Sequence, residues 1–273
     1  MVSGIPGKPS LPVLHPALER YRADLEAVAK PAWLLRCHEV TAVSRSKTQF
    51  GGVTPFAPIH HGWPRCDKCG EKLHFVWQVN FADFDGSFTR RGLFQFFYCW
   101  RCNAAPLEGF GYSCRWYPEF EAQEAGDIPQ LDSPYEVNMA SYHLPIGPCA
   151  VDVVPFLSVP SIVNPENPIP QAAWYDQVGE KEGELWRVFS STKEFYQEGE
   201  MMSRIGGYPP WIQYQDETPA CPVCGKRAEF VGAIGSTGTN LIWGDSGYWY
   251  FFACRATPGC HGLDKPIMAH QCL

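Results

Sequence analysis

Two short runs, CDKCG at 66–70 and CPVCG at 221–225, hold the residues best suited to chemistry in this chain. A CxxC turn presents two thiolates at the separation one tetrahedral metal ion needs, and Zn2+ prefers four such ligands. The glycine after the second cysteine lets the backbone take a left-handed turn that aims amide hydrogens at the sulfurs. In the first run a second pair follows, giving the set Cys66, Cys69, Cys99 and Cys102. The 30 residues from Cys69 to Cys99 are what a β-hairpin fills when it returns the chain to its starting point. The second run continues with Cys254, but Thr257 occupies the place of the fourth cysteine. Cys260, three residues on, is the expected replacement, with neighbouring His261 the alternative. The spacing therefore predicts two structural Zn2+ ions, one on Cys66, Cys69, Cys99 and Cys102 and one on Cys221, Cys224, Cys254 and Cys260. A closed four-thiolate site has no open position for catalysis; its binding energy, of order 10 kcal/mol, goes into folding.

Other residue patterns carry less. A thioredoxin-like redox CxxC requires a strand-to-helix setting, whereas both pairs here open onto strand-like runs. WGDSGYW at 243–249 contains the GDSG of a serine-protease nucleophile loop. Asp245, Ser246 and Gly247, however, align with Arg90, Arg91 and Gly92 of the first run, which marks a hairpin turn. His60-His61 and Cys37-His38 are adjacent pairs, and adjacent side chains on an extended chain point to opposite faces. Cys37, Cys114, Cys149 and Cys272 fall outside both quartets and read as core or surface thiols. No phosphate loop, dinucleotide fingerprint or HExxH occurs, so no enzyme signature survives.

The elements that must position the cysteines are written twice. At a fixed offset of 155, Gly51-Gly52 meet Gly206-Gly207 and Pro55 meets Pro210. The same offset carries Cys66, Cys69 and Gly70 to Cys221, Cys224 and Gly225, and Phe96, Phe97 and Cys99 to Phe251, Phe252 and Cys254. This predicts two homologous halves. In each, LHFVWQVNF (73–81) with GLFQFFYC (92–99), and AEFVGAIG with GYWYFFAC, are aromatic and β-branched runs of strand length. Asp85-Gly86 supplies the first turn. Outside the repeat, Leu14, Leu18, Tyr21, Leu25 and Val28 recur at helical spacing, between Pro16 in the first turn and Pro31 past the end. Ser191 and Glu194 have capping-box spacing ahead of a short helix over 190–200. Residues 103–170, rich in proline, glycine and acids, read as long loops with edge strands. The expected fold is α+β, mainly β: an N-terminal helical segment (1–40), a first β-rich lobe (41–155) and a second (156–273), each lobe with a zinc-ribbon-like hairpin.

With 45% apolar and 19% charged residues the composition is that of a globular protein. A net charge of −7 disfavours a phosphate backbone as partner and favours a basic protein. The first residues, MVSGIPGKPSLPVLHP, lack the charged start and apolar core of a secretory signal. A cytoplasmic protein with no membrane span is expected, and in that reducing setting thiols serve as ligands rather than disulfides.

These motifs resemble the YwqG-like family of bacterial proteins of unknown biochemical function. The likeness lies in FGGVTPFAP, in WP followed by FVWQVNF, in GLFQFF, and in IGGYPPWIQ and WGDSGYWYFF, covering most of 48–102 and 203–255. The resemblance implies two similar β-rich lobes. Many members lack the cysteine quartets, so the zinc sites are a departure. In that respect the halves are similar to the distantly related programmed-cell-death-two proteins, chaperones of a nascent ribosomal protein. Neither resemblance hands over catalytic residues. The function expected is a non-enzymatic, zinc-stabilised protein-interaction module, in an immunity or antitoxin-like role against a toxin. The alternatives are a chaperone-like binder of a basic client, an enzyme with an active site between the lobes, and nucleic-acid binding through the ribbons.

Overall fold

Runs such as LFQFFY and YWYFFA have too many aromatic and branched residues to leave either face in water, and strands buried on both faces result. A computed structural model describes residues 11, 16–52, 55–56, 62–84, 91–102, 109–119, 147–161, 164–169, 196–197, 200–213, 215–236 and 241–272. The protein is mostly β. A 3₁₀ turn (Pro16–Tyr21) leads into the helix α1 (Arg22–Val28), which buries Leu25 and ends where Ala29 turns extended. The strands are β1 (Lys30–Glu39), β2 (Gln49–Phe50), β3 (His74–Asn80), β4 (Leu93–Tyr98), β5 (Tyr112–Tyr117) and β6 (Cys149–Ser158). After them come β7 (Tyr196–Gln197), β8 (Glu200–Met201), β9 (Arg204–Gly206), β10 (Glu229–Gly235), β11 (Tyr248–Ala253) and β12 (Ile267–Gln271).

Ten strands form one sheet in the order β12-β11-β10-β9-β1-β6-β2-β3-β4-β5, and β7 pairs with β8 in a separate hairpin. Four strand pairs correspond residue for residue at the 155 offset: β2 with the start of β9, β3 with β10, β4 with β11, and β5 with β12. Their irregularities correspond too, since the ladders slip between Phe75 and Trp77 and between Phe230 and Gly232. The centre is arranged differently. The ten-residue pair β1–β6 runs from Lys30↔Ser158 to Glu39↔Cys149. β1, from the N-terminal part, lies beside β9, while β6 lies beside β2. Each wing is therefore joined to the centre through a strand from the other part of the chain.

The sheet curls so that its wings face each other. Phe94, Phe96 and Tyr98 of β4 point inward and meet Trp249 and Phe251 of β11, with ring centroids 5.1 Å apart for Phe96–Phe251 and 5.4 Å for Phe96–Trp249. Trp100 stacks on Trp243 at 5.1 Å. These rings belong to one buried cluster that also takes in Trp33, Trp77 and Cys149. The outward faces build smaller clusters, Tyr248, Tyr250 and Phe252 with Trp211 in one wing, and Phe75 and Phe97 around the cysteines in the other.

Two sequence expectations differ from this architecture. Residues 30–39 and 149–158, read as the end of a helical segment and as loop or edge, form the two central strands. Pro31 and Pro155 argue against central strands, yet each falls outside the short outer pairings, which involve only 32–34 of β1 and 149–150 of β6. The residue 155 boundary thus lies within β6. For the helix expected over 190–200, Ser191 and Glu194 lie outside the described residues, and Tyr196–Gln197 and Glu200–Met201 pair as strands. The Asp85-Gly86 turn also lies outside them.

Candidate metal centres

Each CxxC pair sits on a tight turn just before the first strand of its hairpin. The Cys66 N–H donates to the Glu71 carbonyl at 2.7 Å, and Gly70 N–H donates to the Cys66 carbonyl at 2.8 Å. In the second turn, Cys221 donates to Lys226 and Gly225 to Cys221 at the same 2.7 and 2.8 Å. Isolated bridges Arg65↔Lys72 and Ala220↔Arg227 close the two turns. Gly70 (φ 75°) and Gly225 (φ 71°) take the left-handed conformation that turns the backbone N–H groups toward sulfur. The β3–β4 and β10–β11 ladders then bring Cys99 and Cys254 back beside them.

The result is two groups of four thiols, Cys66, Cys69, Cys99 and Cys102, and Cys221, Cys224, Cys254 and Cys260, with the sulfurs of each within 4.8 Å of one another. Among the described residues these are the groups of three or more Cys, His, Asp or Glu side chains able to hold a metal ion. Sγ–Sγ separations are 3.7 Å for Cys66–Cys102, 3.6 Å for Cys69–Cys99 and 3.6 Å for Cys224–Cys254. A tetrahedron with Zn–S bonds of about 2.3 Å has edges of ~3.8 Å, so the cages are of a size for such an ion. A disulfide requires about 2.05 Å, and all the cysteines are free thiols.

The thiols are unequal. Burial opposes the Cys66 thiolate, but N–H groups of Cys69 and Lys68 and the neighbouring thiols outweigh it and hold its pKa down at about 7. For Cys221 the His261 N–H leads, opposed by burial and joined by N–H groups of Cys224 and Val223, and the pKa falls to about 6. Burial pushes Cys99 well up. An Ala256 N–H favours the Cys254 thiolate, but burial and the surrounding thiols push it up to about 12. Each group thus combines thiols whose anionic form is favoured, Cys66 in the first and Cys221 and Cys260 in the second, with thiols that resist ionisation, and a bound dication would take the place of the protons that remain.

Cys260, not His261, completes the second group. His261 contributes main chain, its carbonyl accepting from the Cys254 N–H at 2.7 Å. Two further side chains, Thr257 and Trp63, stand at the sites. Thr257 Oγ1 lies 3.0 Å from Cys260 Sγ, a hydroxyl placed where the repeat calls for the fourth cysteine. Trp63 packs against the apolar cluster around the first group, its ring 5.5 Å from Phe97 and its indole N–H donating to the Leu73 carbonyl at 2.7 Å. The WP dipeptide was the available signal, although nothing in spacing ties it to the cysteines.

The other candidates stay apart from these centres. Ser246 (φ 60°) sits in the turn entering β11, where Gly247 N–H donates to the Trp243 carbonyl at 2.6 Å. It is the one described non-glycine residue with positive φ, and the hairpin turn accounts for it. His38 makes an exposed contact with Asp152 at 3.6 Å. His60 and His61 lie outside the described residues. Cys149 is buried and its thiol is pushed up to about 11 by burial. No described helix is long and apolar enough to cross a membrane.

No curated protein matches the chain. A family model described as "Domain of unknown function (DUF1963)" matches residues 48–256, from the start of β2 to just beyond Cys254, and spans both thiol groups except Cys260. Since the match covers well over half its length, the chain belongs to this family of unknown function.

Proposed function

We propose that the protein is a zinc-stabilised, non-enzymatic protein-interaction module of the YwqG-like type, whose two Zn2+ ions fasten the open ends of the hairpins. The observation that carries this reading is the closure of both centres: each has four sulfurs from the chain around one point. Such a set leaves no coordination position for substrate or water, so its metal shapes the fold rather than reacting. The excess of acidic residues, −7 overall, suits a basic protein surface. Within this class, neutralisation of a toxin in an immunity-like role is the version put forward, and chaperoning of a basic client is the second.

The test is metal counting by elemental analysis, followed by a pull-down from the native host at low salt. Two zinc ions per chain and one stoichiometric protein partner released by high salt are expected. A toxin as that partner supports the first version, and a nascent basic client the second. Two zinc ions with a small molecule carried through purification and no protein partner would overturn the interaction reading in favour of an enzyme.

A further inference from the structure

The two thiol groups, so alike in their turns, differ in what surrounds them. The first is packed in an apolar shell: Cys66 and Cys99 are buried with Leu73, Phe75 and Phe97, and Trp63, like Cys69 and Cys102, packs against that cluster from its partly exposed side. At the 155 offset the second group has Thr218 where the first has Trp63, and Ala228 where it has Leu73. Thr218 turns to polar partners, its hydroxyl accepting from Arg227 at 2.9 Å and its N–H donating to Asp216 at 2.8 Å.

The fourth ligands differ as well. Cys102 follows Cys99 on a two-residue spacer, whereas Cys260 hangs on the five-residue segment Arg255–Gly259, every residue of which is exposed. The longer segment loosens the link between Cys254 and Cys260, and Cys260, half-buried like Cys102, has its sulfur beside the Thr257 hydroxyl. Metal-bound thiolates react with electrophiles in proportion to access.

We infer that the two centres have different tasks: the Cys66 group is a permanent staple, and the Cys221 group is an exchangeable thiophilic-metal site that a peroxide-class oxidant empties. This rests on the reading that both groups hold zinc. In the step, the Cys260 sulfur attacks one peroxide oxygen, so that an S–O bond forms, the O–O bond breaks and hydroxide leaves, becoming water with a proton. A second thiolate of the group, within 4.8 Å, attacks the resulting sulfenic acid. An S–S bond forms, the S–O bond breaks and hydroxide leaves, taking a solvent proton to become a second water. Two sulfurs have lost two electrons, the peroxide has gained them, and the zinc ion, still Zn2+, departs with two of its ligands gone. Thiol reductant and Zn2+ reverse the change.

The experiment uses the full chain reconstituted with two equivalents of Zn2+ and treated with hydrogen peroxide. Release is followed with a zinc-responsive dye, and disulfides are mapped by alkylation and mass spectrometry. One equivalent leaves at least tenfold faster than the other, with the early disulfide joining Cys260 to Cys221, Cys224 or Cys254. In Trp63→Thr the second equivalent follows more closely. Thr257→Val, which leaves all eight sulfurs in place, changes only the rate of the early release. Simultaneous release, earlier release from the Cys66 group, or no release overturns the inference while leaving two structural zinc ions. A chain that takes up no zinc on reconstitution overturns the metal reading itself.

Discussion

Gly207 and Gly70 both have positive φ, 71° and 75°, but their surroundings separate two costs. A Cβ on Gly207 would stand 2.4 Å from the Cβ of Ser158 and 2.9 Å from that of Ala32, between β6 and β1, while a Cβ on Gly70 meets nothing within 4 Å. Gly70→Ala should therefore cost only the left-handed strain, about 1 kcal/mol, and Gly207→Ala about 3 kcal/mol or more. Urea unfolding of the zinc-loaded proteins measures both, and equal costs would contradict the close approach at Gly207. The buried Gln78 accepts from the Phe56 N–H at 2.9 Å and from Gln95 Nε2 at 2.8 Å, and donates to the carbonyls of Arg45 and Lys47. Gln78→Leu strands these groups and should cost about 2–4 kcal/mol by the same assay. His270 is half-buried beside Trp249, 6.0 Å between rings, and its burial lowers its pKa from the ordinary 6.5. It folds as the neutral form, so its contribution is complete above 6.5 and is lost as pH falls from there to the lowered value, where the unfolded chain alone takes the proton. Protonation of the grouped thiols, were they to hold metal, would have the same sign, so the diagnostic is a comparison: His270→Gln should show a shallower fall of the urea midpoint between pH 7 and pH 5 than the wild type.

At the level of elements, the cysteine turns should behave as units distinct from the strands beside them. Removing zinc with a strong chelator is expected to raise hydrogen exchange at the amides of Cys66, Gly70, Cys221 and Gly225, while those of Phe96 and Phe251 stay protected in the shared core. Equal loss at all six would mean that the metal holds the sheet rather than its hairpin ends. These hairpins were the most legible part of the sequence. β3, β4, β10 and β11 begin and end within a residue of the aromatic runs, because runs of rings and branched residues between turn signals have few other solutions. The grouping of all eight cysteines into two sets of four was legible too, since paired CxxC spacing ties residue type to position. β1 and β6 were not legible. Their pairing joins residues more than a hundred positions apart, local pattern carries no trace of that, and Pro31 and Pro155 pointed the other way. The packing of Trp63 against the first group and the contact of Thr257 with Cys260 were hidden for a similar reason: each depends on where the chain returns in space.

For the whole molecule, the wings are held by the crossed centre and by the core they enclose. A chain divided at residue 130 gives one piece with β1–β5 and another with β6–β12, and neither has a complete sheet, since β1 needs β9 and β6 while β6 needs β1 and β2. Separately, each piece should lack the dispersed near-ultraviolet signal of ordered tryptophans, and mixing should restore it in a one-to-one complex. A piece that folds fully alone would contradict the crossed arrangement. The same crossing bears on how the protein meets itself. Two copies can trade β1 for β1 and rebuild every ladder with each strand drawn from the other molecule. The bonds made equal the bonds broken, and only the entropy of joining two chains stands against the exchange. Concentrated solutions refolded from denaturant are thus the setting in which entangled dimers form, and diluted refolding is the condition that yields separate chains.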